Sequence, residues 1–249
     1  RIILHAIFAF AQRQEIANAN PVQFVTVAAQ KARERVLNNT ELRTVWKALM
    51  PPVAIEGAAI SACVAYSVLL AMVTLQRRGE VTGMRLSEID REKKLWTLPG
   101  TRTKNHRVHV VPLSELALEL IDAALSIRTD KNDFVFSSPR LPGKPVEPKA
   151  MTRAFGRMRH ALGLIDIRPH DLRRTGTTNL TGENLGFPRF IISKVLNQTD
   201  SGGAAAVTAI YDRNDYLPEK RRALDAWAMR LLEIVNDEKR GDNVVTLGA

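Results

Sequence analysis

The sequence predicts a mainly α-helical domain that carries one small antiparallel β-sheet, an α+β class of fold. Most of the chain places apolar residues three or four positions apart, which is the spacing of amphipathic helices. The pattern changes at LWTLPG and RVHVVPL, two short runs separated by TRTKNH that are typical of a β-hairpin. With 249 residues, 45% of them hydrophobic, the chain is long enough to bury a core.

The N-terminal segment is predicted to lie outside this domain. Residues 1–14 have helical spacing, which IANANP breaks at Pro21, and we interpret residues 1–20 as the last helix and exit of a missing preceding domain. Residues 21–37 then form a linker. The main domain, residues 38–235, opens with Asn38 and Glu41, which have capping-box spacing. Residues 236–249 are polar and are predicted to be a mobile tail.

An uncharged segment at residues 57–75 allows two interpretations. It approaches the length that spans a membrane. Its alanine and serine content, with Cys63 and Tyr66, favours a helix buried in a large helical core. Later helical patterns lie in LSELALELIDAALSI, MTRAFGRMRHAL, PRFIISKVL and EKRRALDAWAMRLLEIV, and FVFSSPRLPGKPVEP is typical of a strand-like tip and loop.

The net charge of +10 favours a polyanionic partner, with nucleic acid first and an acidic membrane surface second. The single cysteine excludes an intramolecular disulfide and a thiolate zinc site. His106 and His109 lie close together, but no carboxylate or cysteine near them completes a metal site. We therefore expect no metal and no cofactor.

Two short motifs concentrate cationic side chains. In HDLRRT, a helix that begins at the preceding proline puts His170 and Arg173 on one face and turns Arg174 away. In QRRGEV, Arg77 and Glu80 share a face in the same way, and a carboxylate beside an arginine orients its guanidinium. Each motif is weak evidence alone, because a solvated basic helix end has the same composition.

Two further motifs contain a candidate lysine and a candidate tyrosine. A lysine at the hairpin tip, Lys104, precedes HVVPLS, and a late tyrosine, Tyr211, lies in TAIYDRNDY. The four motifs in this order resemble those of the tyrosine site-specific recombinases, the phage-type integrases, and are most similar to integrases of satellite phages and genomic islands. The resemblance runs from about Asn38 to Val235. It implies the tyrosine recombinase catalytic-domain fold.

The resemblance also implies a catalytic pocket with Tyr211 as nucleophile, Glu80 as support, and four cationic or basic groups: Arg77, Lys104, His170 and Arg173. Such residues suit phosphoryl transfer without a metal, because guanidinium groups bind the nonbridging phosphate oxygens and remain charged. Attack by the phenol oxygen would form a 3′-phosphotyrosine. Lys104 would protonate the leaving 5′ oxygen, and His170 would accept or share the tyrosine proton.

The sequence departs from the family pattern at Gln198. At this position, directly after Leu196 and Asn197 in VLNQTD, the family commonly has histidine or sometimes tryptophan. Glutamine still donates an amide hydrogen bond but does not titrate near neutral pH. We expect activity to persist. A catalytically impaired DNA-binding homologue and a type IB-like topoisomerase remain alternatives.

The implied partners are double-stranded DNA at attachment sites, further copies of the chain in a homotetramer on DNA (with a monomer alone as the other state), and accessory DNA-bending or directionality factors. No membrane partner is expected, and the implied location is the bacterial cytoplasm, associated with the nucleoid. A solvated basic surface explains exposed arginines equally well. With that alternative open, the candidate DNA contacts are Arg78, Arg102, Arg107, Arg153, Arg157, Arg159 and Arg174.

Overall fold

The computed structural model describes residues 1–26, 33–51, 55–183, 185–198 and 214–237. These described residues form nine α-helices, one three-stranded antiparallel sheet and two short 3₁₀ turns. The chain divides into two compact units, residues 1–34 and 35–249. The predicted mainly helical fold with a small antiparallel sheet is confirmed.

The first unit contains helix α1 (Ile2–Arg13), as the periodicity predicted. Beyond the helix, Asn20 donates a side-chain hydrogen bond to the carbonyl of His5 at 3.3 Å and accepts one from the N–H of Val22 at 3.1 Å. These bonds fold the following segment back onto the helix. The assignment of residues 1–20 to a preceding domain stays a prediction.

The second unit contains the remaining elements. Its helices are α2 (Asn39–Leu49), α3 (Ala62–Thr74), α4 (Arg78–Thr82), α5 (Glu115–Ser126), α6 (Pro148–Ala161), α7 (Pro169–Thr181), α8 (Arg189–Val195) and α9 (Leu217–Asn236). Its strands are β1 (Ile89–Asp90), β2 (Leu95–Leu98) and β3 (His109–Pro112), in the order β1-β2-β3. The predicted strand-like tip contributes two isolated bridges, with Phe134 opposite Arg85 and Ser137 opposite Pro145.

The start of the second unit follows local sequence signals. Asn38 and Glu41 form the predicted capping box at α2, in which each side chain accepts a backbone N–H at 2.9 Å. The last residue of the predicted linker, Leu37, is buried, and its N–H donates to the hydroxyl of Thr175 at 2.9 Å. That part of the linker therefore belongs to the second unit. The predicted mobile tail lies outside the described residues from residue 238 onward.

Helix α3 is the centre of the second unit. It packs against α2, α5, α6, α7 and α9, and nine of its thirteen residues are buried. The uncharged segment is therefore a core helix, as predicted, although the helix begins at Ala62 rather than near residue 57. In the part of the chain that the structure describes, no helix combines the length and apolar character needed to cross a membrane.

Two features bring α7 close to the end of α3. Leu75 is buried with a φ of +57°, so the chain leaves α3 in a left-handed conformation and turns toward Gln76 and Arg77. On α7, a Cβ at Gly176 would lie 2.3 Å from a methyl carbon of Leu75. A larger residue at this position would force the buried Leu75 side chain to move, so glycine favours this approach, which sets Arg173, one turn earlier on α7, beside the segment that carries Arg77.

Candidate active site

The first cationic group is Arg77, which precedes α4. Glu80 is buried, and its carboxylate accepts hydrogen bonds from the backbone N–H and from Nη1 of Arg77, both at 2.9 Å. These bonds satisfy an otherwise unpaired N–H at the helix start and fix the direction of the guanidinium group. The shared face predicted for Arg77 and Glu80 is observed. Arg78 points elsewhere and donates to the hydroxyl of Thr152 on α6 at 2.6 Å.

The second cationic group, Arg173, lies on α7 and is only 6% exposed. Its Nη2 donates to the carbonyl of Leu196 at 2.5 Å. Its Nη1 is buried and has no hydrogen-bond partner among the described residues. The neighbouring Arg174 is only partly buried, and its Nη1 lies 3.1 Å from the carboxylate of Asp171, which also caps α7 at Arg168.

Two consecutive carbonyls after α8 hold the two guanidinium groups. Leu196 accepts from Arg173, and Asn197 accepts from Nη2 of Arg77 at 3.3 Å. The carbonyls at a helix C-terminus lack partners within the helix, so they are available for such contacts. Burial lowers the pKa of Arg173 to about 10, and the charge of Arg77 adds to this effect while that of Glu80 opposes it. Arg173 therefore remains protonated at neutral pH.

A buried polar layer supports these groups. The amide nitrogen of Gln76 donates to the carbonyls of Thr74 at 2.8 Å and Val195 at 3.0 Å, and its oxygen lies 3.3 Å from Nε2 of His109. Since the amide nitrogen serves both carbonyls, the oxygen accepts and Nε2 of His109 carries the hydrogen. Burial, followed by the charges of Lys220 and the two arginines, lowers the pKa of His109 to about 3. The ring is therefore neutral.

His170 and Gln198 line one cavity with Arg173. The cavity has a volume of about 470 Å³, and its walls also include Arg174, Arg189, Thr177 and Thr178. His170 is the second residue of α7, and its side chain reaches solvent. Partial loss of water, followed by the charges of Arg173 and Arg174, lowers the pKa of His170 below its ordinary 6.5. A neutral imidazole at neutral pH accepts a proton.

Lys104 lies in the loop between β2 and β3, as predicted, and its side chain is exposed. The next residue, Asn105, donates from Nδ2 to Oδ1 of Asn197 at 2.7 Å, so the hairpin loop meets the segment after α8. The predicted nucleophile, Tyr211, lies outside the described residues. Its role, like the roles of the other site residues, stays a prediction.

The predicted DNA-contacting arginines differ in their surroundings. Arg102 is partly buried, forms an ion pair with Glu88 and donates from Nη2 to the carbonyl of Glu80 at 2.8 Å. Arg159 donates to the carbonyl of Ile167 at 3.4 Å, and Arg153 lies 3.7 Å from Glu147. Arg107 and Arg157 are exposed. Contacts of all these residues with DNA stay predictions.

Sequence reasoning missed Gln76, Asn105 and Asn197, and it considered His109 only as a metal ligand. No local pattern marks them, because each acts through a partner that is distant in the sequence. Within the described residues, no group of three or more His, Cys, Asp or Glu side chains has an arrangement that could hold a metal ion.

Comparisons with known proteins agree on one family. Residues 35–214 match the family model described as the phage integrase family. The prophage integrase IntA of Escherichia coli K12 is 30% identical over 175 residues, which cover 70% of this chain and 39% of that protein. The chain therefore spans well under half the length of this relative.

Two solved structures share the fold. A lambda integrase dimer bound to a COC′ core site matches 79% of this chain and 69% of its own, with a TM-score of 0.58 and 20% identity. A lambda integrase tetramer bound to a Holliday junction matches 81% of this chain and 58% of its own, with a TM-score of 0.58 and 18% identity. At these identities the likeness establishes the fold alone.

Proposed function

The chain belongs to the phage integrase family, and we propose that it is the catalytic part of a site-specific DNA recombinase. In this proposal it cuts and rejoins duplex DNA through a 3′-phosphotyrosine link, with arginine side chains in place of a metal ion. The matched region covers only 39% of the integrase relative. The proposed activity is therefore that of the whole integrase, of which this chain matches a part.

One observation carries the proposal. Arg77 and Arg173 are each anchored on one side by protein acceptors, while Nη1 of Arg173 is buried without a partner among the described residues. An unpaired buried donor on a charged group costs about 1–3 kcal/mol or more. A phosphate oxygen would satisfy it, and the single negative charge of a phosphodiester would offset part of the positive charge of the two arginines. The arrangement suits a phosphodiester bound in the cavity beside α7.

The proposed reaction begins when the phenol oxygen of Tyr211 attacks the phosphorus atom. A phosphorus–oxygen bond to the tyrosine forms, the bond to the 5′ oxygen breaks, and charge grows on the nonbridging oxygens. Arg77 and Arg173 stabilise that charge. His170 accepts the phenol proton, the ammonium of Lys104 gives a proton to the leaving 5′ oxygen, and the amide of Gln198 donates to a phosphate oxygen.

Double-stranded DNA is the proposed substrate. The net charge of +10 favours it, and the lambda integrase structures with the same fold are bound to DNA. One of those integrases is a tetramer on a Holliday junction, which supports a homotetramer on paired sites for this chain as well. Phosphate contacts from exposed arginines would position the duplex and make binding depend strongly on salt.

Trapping the covalent intermediate tests the proposal. The 249-residue chain is incubated with nicked suicide-substrate DNA and the products are separated on a denaturing gel. We expect a covalent protein–DNA adduct, which Tyr211→Phe abolishes and the matched control Tyr216→Phe retains. No adduct from the wild-type chain, or equal adduct from Tyr211→Phe, contradicts the proposal.

The comparisons do not favour the two alternatives, and adduct trapping combined with measurements of DNA binding, supercoil relaxation and two-site exchange separates them. DNA binding without any adduct, even after Gln198→His, would indicate a catalytically impaired homologue. An adduct accompanied by relaxation of supercoils, but without exchange between two marked sites, would indicate a topoisomerase.

A further inference from the structure

Two asparagine side chains join the hairpin loop to the segment after α8. Nδ2 of Asn105 donates to Oδ1 of Asn197 at 2.7 Å, and Nδ2 of Asn197 lies 3.4 Å from Oδ1 of Asn105. Both residues are half-buried. Each amide offers a donor and an acceptor to the other, and the two residues are 92 positions apart in the chain. The contact is therefore a tertiary link.

Asn197 also takes part in holding the arginines. Its φ is +47°, a left-handed conformation that asparagine tolerates better than most residues. Its carbonyl accepts from Nη2 of Arg77, and the preceding carbonyl, that of Leu196, accepts from Arg173. The backbone carbonyls of this turn therefore fix the two guanidinium groups, while the Asn197 side chain hydrogen-bonds to the hairpin loop.

Asn105 is the residue next to Lys104. The lysine side chain is exposed, so the position of its ammonium group depends on where the loop backbone is held. Within the loop, the hydroxyl of Thr103 donates to the carbonyl of Arg107 at 2.7 Å and lies 3.1 Å from that of Gly100, and these contacts shape the tip without anchoring it to α8. The Asn105 amide supplies the link between the loop and the segment after α8.

We propose that the Asn105–Asn197 amide pair positions the Lys104 loop over the phosphate site formed by Arg77 and Arg173. This inference rests on the proposed function, in which Lys104 protonates the leaving 5′ oxygen. Asn105 and Asn197 are positioning residues: their side chains act through Lys104 and do not touch the reacting atoms. Loss of the pair weakens proton donation while phosphate binding by the arginines persists.

A change of leaving group isolates the proton-donation step. When sulfur replaces the bridging 5′ oxygen, the phosphorus–sulfur bond breaks to release a thiolate, which is stable without a proton because thiols are far more acidic than alcohols. Cleavage of both substrates is measured under single-turnover conditions for Asn105→Ala, Asn197→Gly, the double variant and Lys104→Ala. Glycine keeps the left-handed backbone at position 197 and removes only the side chain.

We expect Asn105→Ala and Asn197→Gly to slow cleavage of the oxygen substrate about tenfold and to leave the sulfur substrate within about twofold of wild type. The double variant should be no slower than the slower single variant, since both remove one interaction. Lys104→Ala should show the same selectivity with a larger loss of about 10²-fold to 10⁴-fold. Asn179→Ala is the matched control, because that half-buried amide bonds within its own helix, to the carbonyl of Thr175 at 2.9 Å, and it should cleave both substrates like wild type.

The outcomes separate the inference from the function on which it rests. If sulfur rescues Lys104→Ala but not the asparagine variants, or if the asparagine variants cleave the oxygen substrate at the wild-type rate, the positioning role is wrong. If sulfur fails to rescue Lys104→Ala itself, the proposed proton donation by Lys104 is wrong, and the inference falls with it.

Discussion

A single buried carboxylate organises the first arginine of the site. Glu80 is 3% exposed and accepts from both the backbone and the side chain of Arg77, so helix capping and guanidinium orientation depend on the same group. The site should therefore be sensitive to substitution of Glu80, although this residue does not itself contact the proposed substrate.

Glu80→Ala should lower the free energy of unfolding by about 1–2 kcal/mol, the usual cost of losing a cap, and should slow cleavage at least about tenfold because Arg77 is no longer oriented. Glu80→Gln keeps an acceptor oxygen and should lose less of both. Urea unfolding and single-turnover cleavage give the two values. Wild-type stability and rate in Glu80→Ala would contradict this account of Arg77.

The lowered pKa of His170 predicts how the cleavage rate depends on pH. Its pKa lies below 6.5, chiefly because the ring has lost part of its water and also because Arg173 and Arg174 are close. A base must be neutral to accept a proton, so the cleavage rate should be constant near pH 7 and should fall as pH drops through the lowered pKa. His170→Gln should be slower and should lose this acidic limb. An identical acidic limb in His170→Gln would exclude the histidine as its source.

At the scale of elements, an internal brace connects the hairpin to α4. Arg102 at the base of the hairpin loop forms an ion pair with Glu88 and donates to the carbonyl of Glu80, and the indole of Trp96 donates to Glu88 at 3.0 Å. A Cβ at Gly83 would lie 2.9 Å from Nη2 of Arg102, so glycine makes room for the guanidinium group. The brace fixes one end of the loop whose other anchor is the asparagine pair.

Two arginines of the hairpin should therefore respond differently to alanine. Arg102→Ala leaves the carboxylate of Glu88, which is only 8% exposed, without its cation and should cost about 3 kcal/mol of stability. Arg107 is exposed, and Arg107→Ala should keep full stability while reducing the salt dependence of DNA binding by about one counterion. Urea unfolding and binding titrations at several salt concentrations measure these effects. If Arg102→Ala keeps full stability and its DNA binding instead depends less on salt, by about one counterion, then Arg102 is a DNA contact.

The elements also show what a single sequence predicts. Local signals locate some helices well: the capping box marks the start of α2, and the periodic pattern LSELALELIDAALSI contains α5. Strand β1 was missed, since two residues are too short to establish an alternating pattern. The helix predicted from residue 57 begins only at Ala62, because uncharged composition does not mark a helix start.

For the molecule as a whole, the order of the four motifs along the chain predicts more of the candidate site than any single local pattern does. His170, Arg173 and Gln198 line one cavity and Arg77 lies beside Arg173, while the catalytic roles that the family resemblance implied for them stay predictions. The supporting contacts were unpredictable, because Gln76 meets Val195 across 119 positions. Net charge alone does not show which cations are free to bind a partner, since arginines such as Arg102 and Arg174 are paired within the protein.

The longest helix joins this site to the rest of the core. Helix α9 packs against α2, α8 and β3, and its Lys220 is 3% exposed. The ammonium of Lys220 donates to the carbonyl of Val110 on β3 at 2.5 Å. Burial lowers the pKa of this lysine to about 8 from 10.5; the charge of Lys194 adds to the effect and that of Asp215 opposes it. A charge is therefore held at a position where the fold disfavours it.

The stability of the whole domain should depend on pH through Lys220. Between about pH 8 and 10.5 the folded state binds fewer protons at this lysine than the unfolded state, so its unfavourable contribution is complete below pH 8 and fades as pH rises. Replacement by methionine removes the contribution. The stability of Lys220→Met relative to wild type should therefore fall by about 2 kcal/mol between pH 7 and 9.5, as measured by urea unfolding at each pH. The same difference for Lys47→Met, at an exposed lysine, should stay constant. A pH-independent difference for Lys220→Met would mean that the buried amine carries no unfavourable charge at neutral pH.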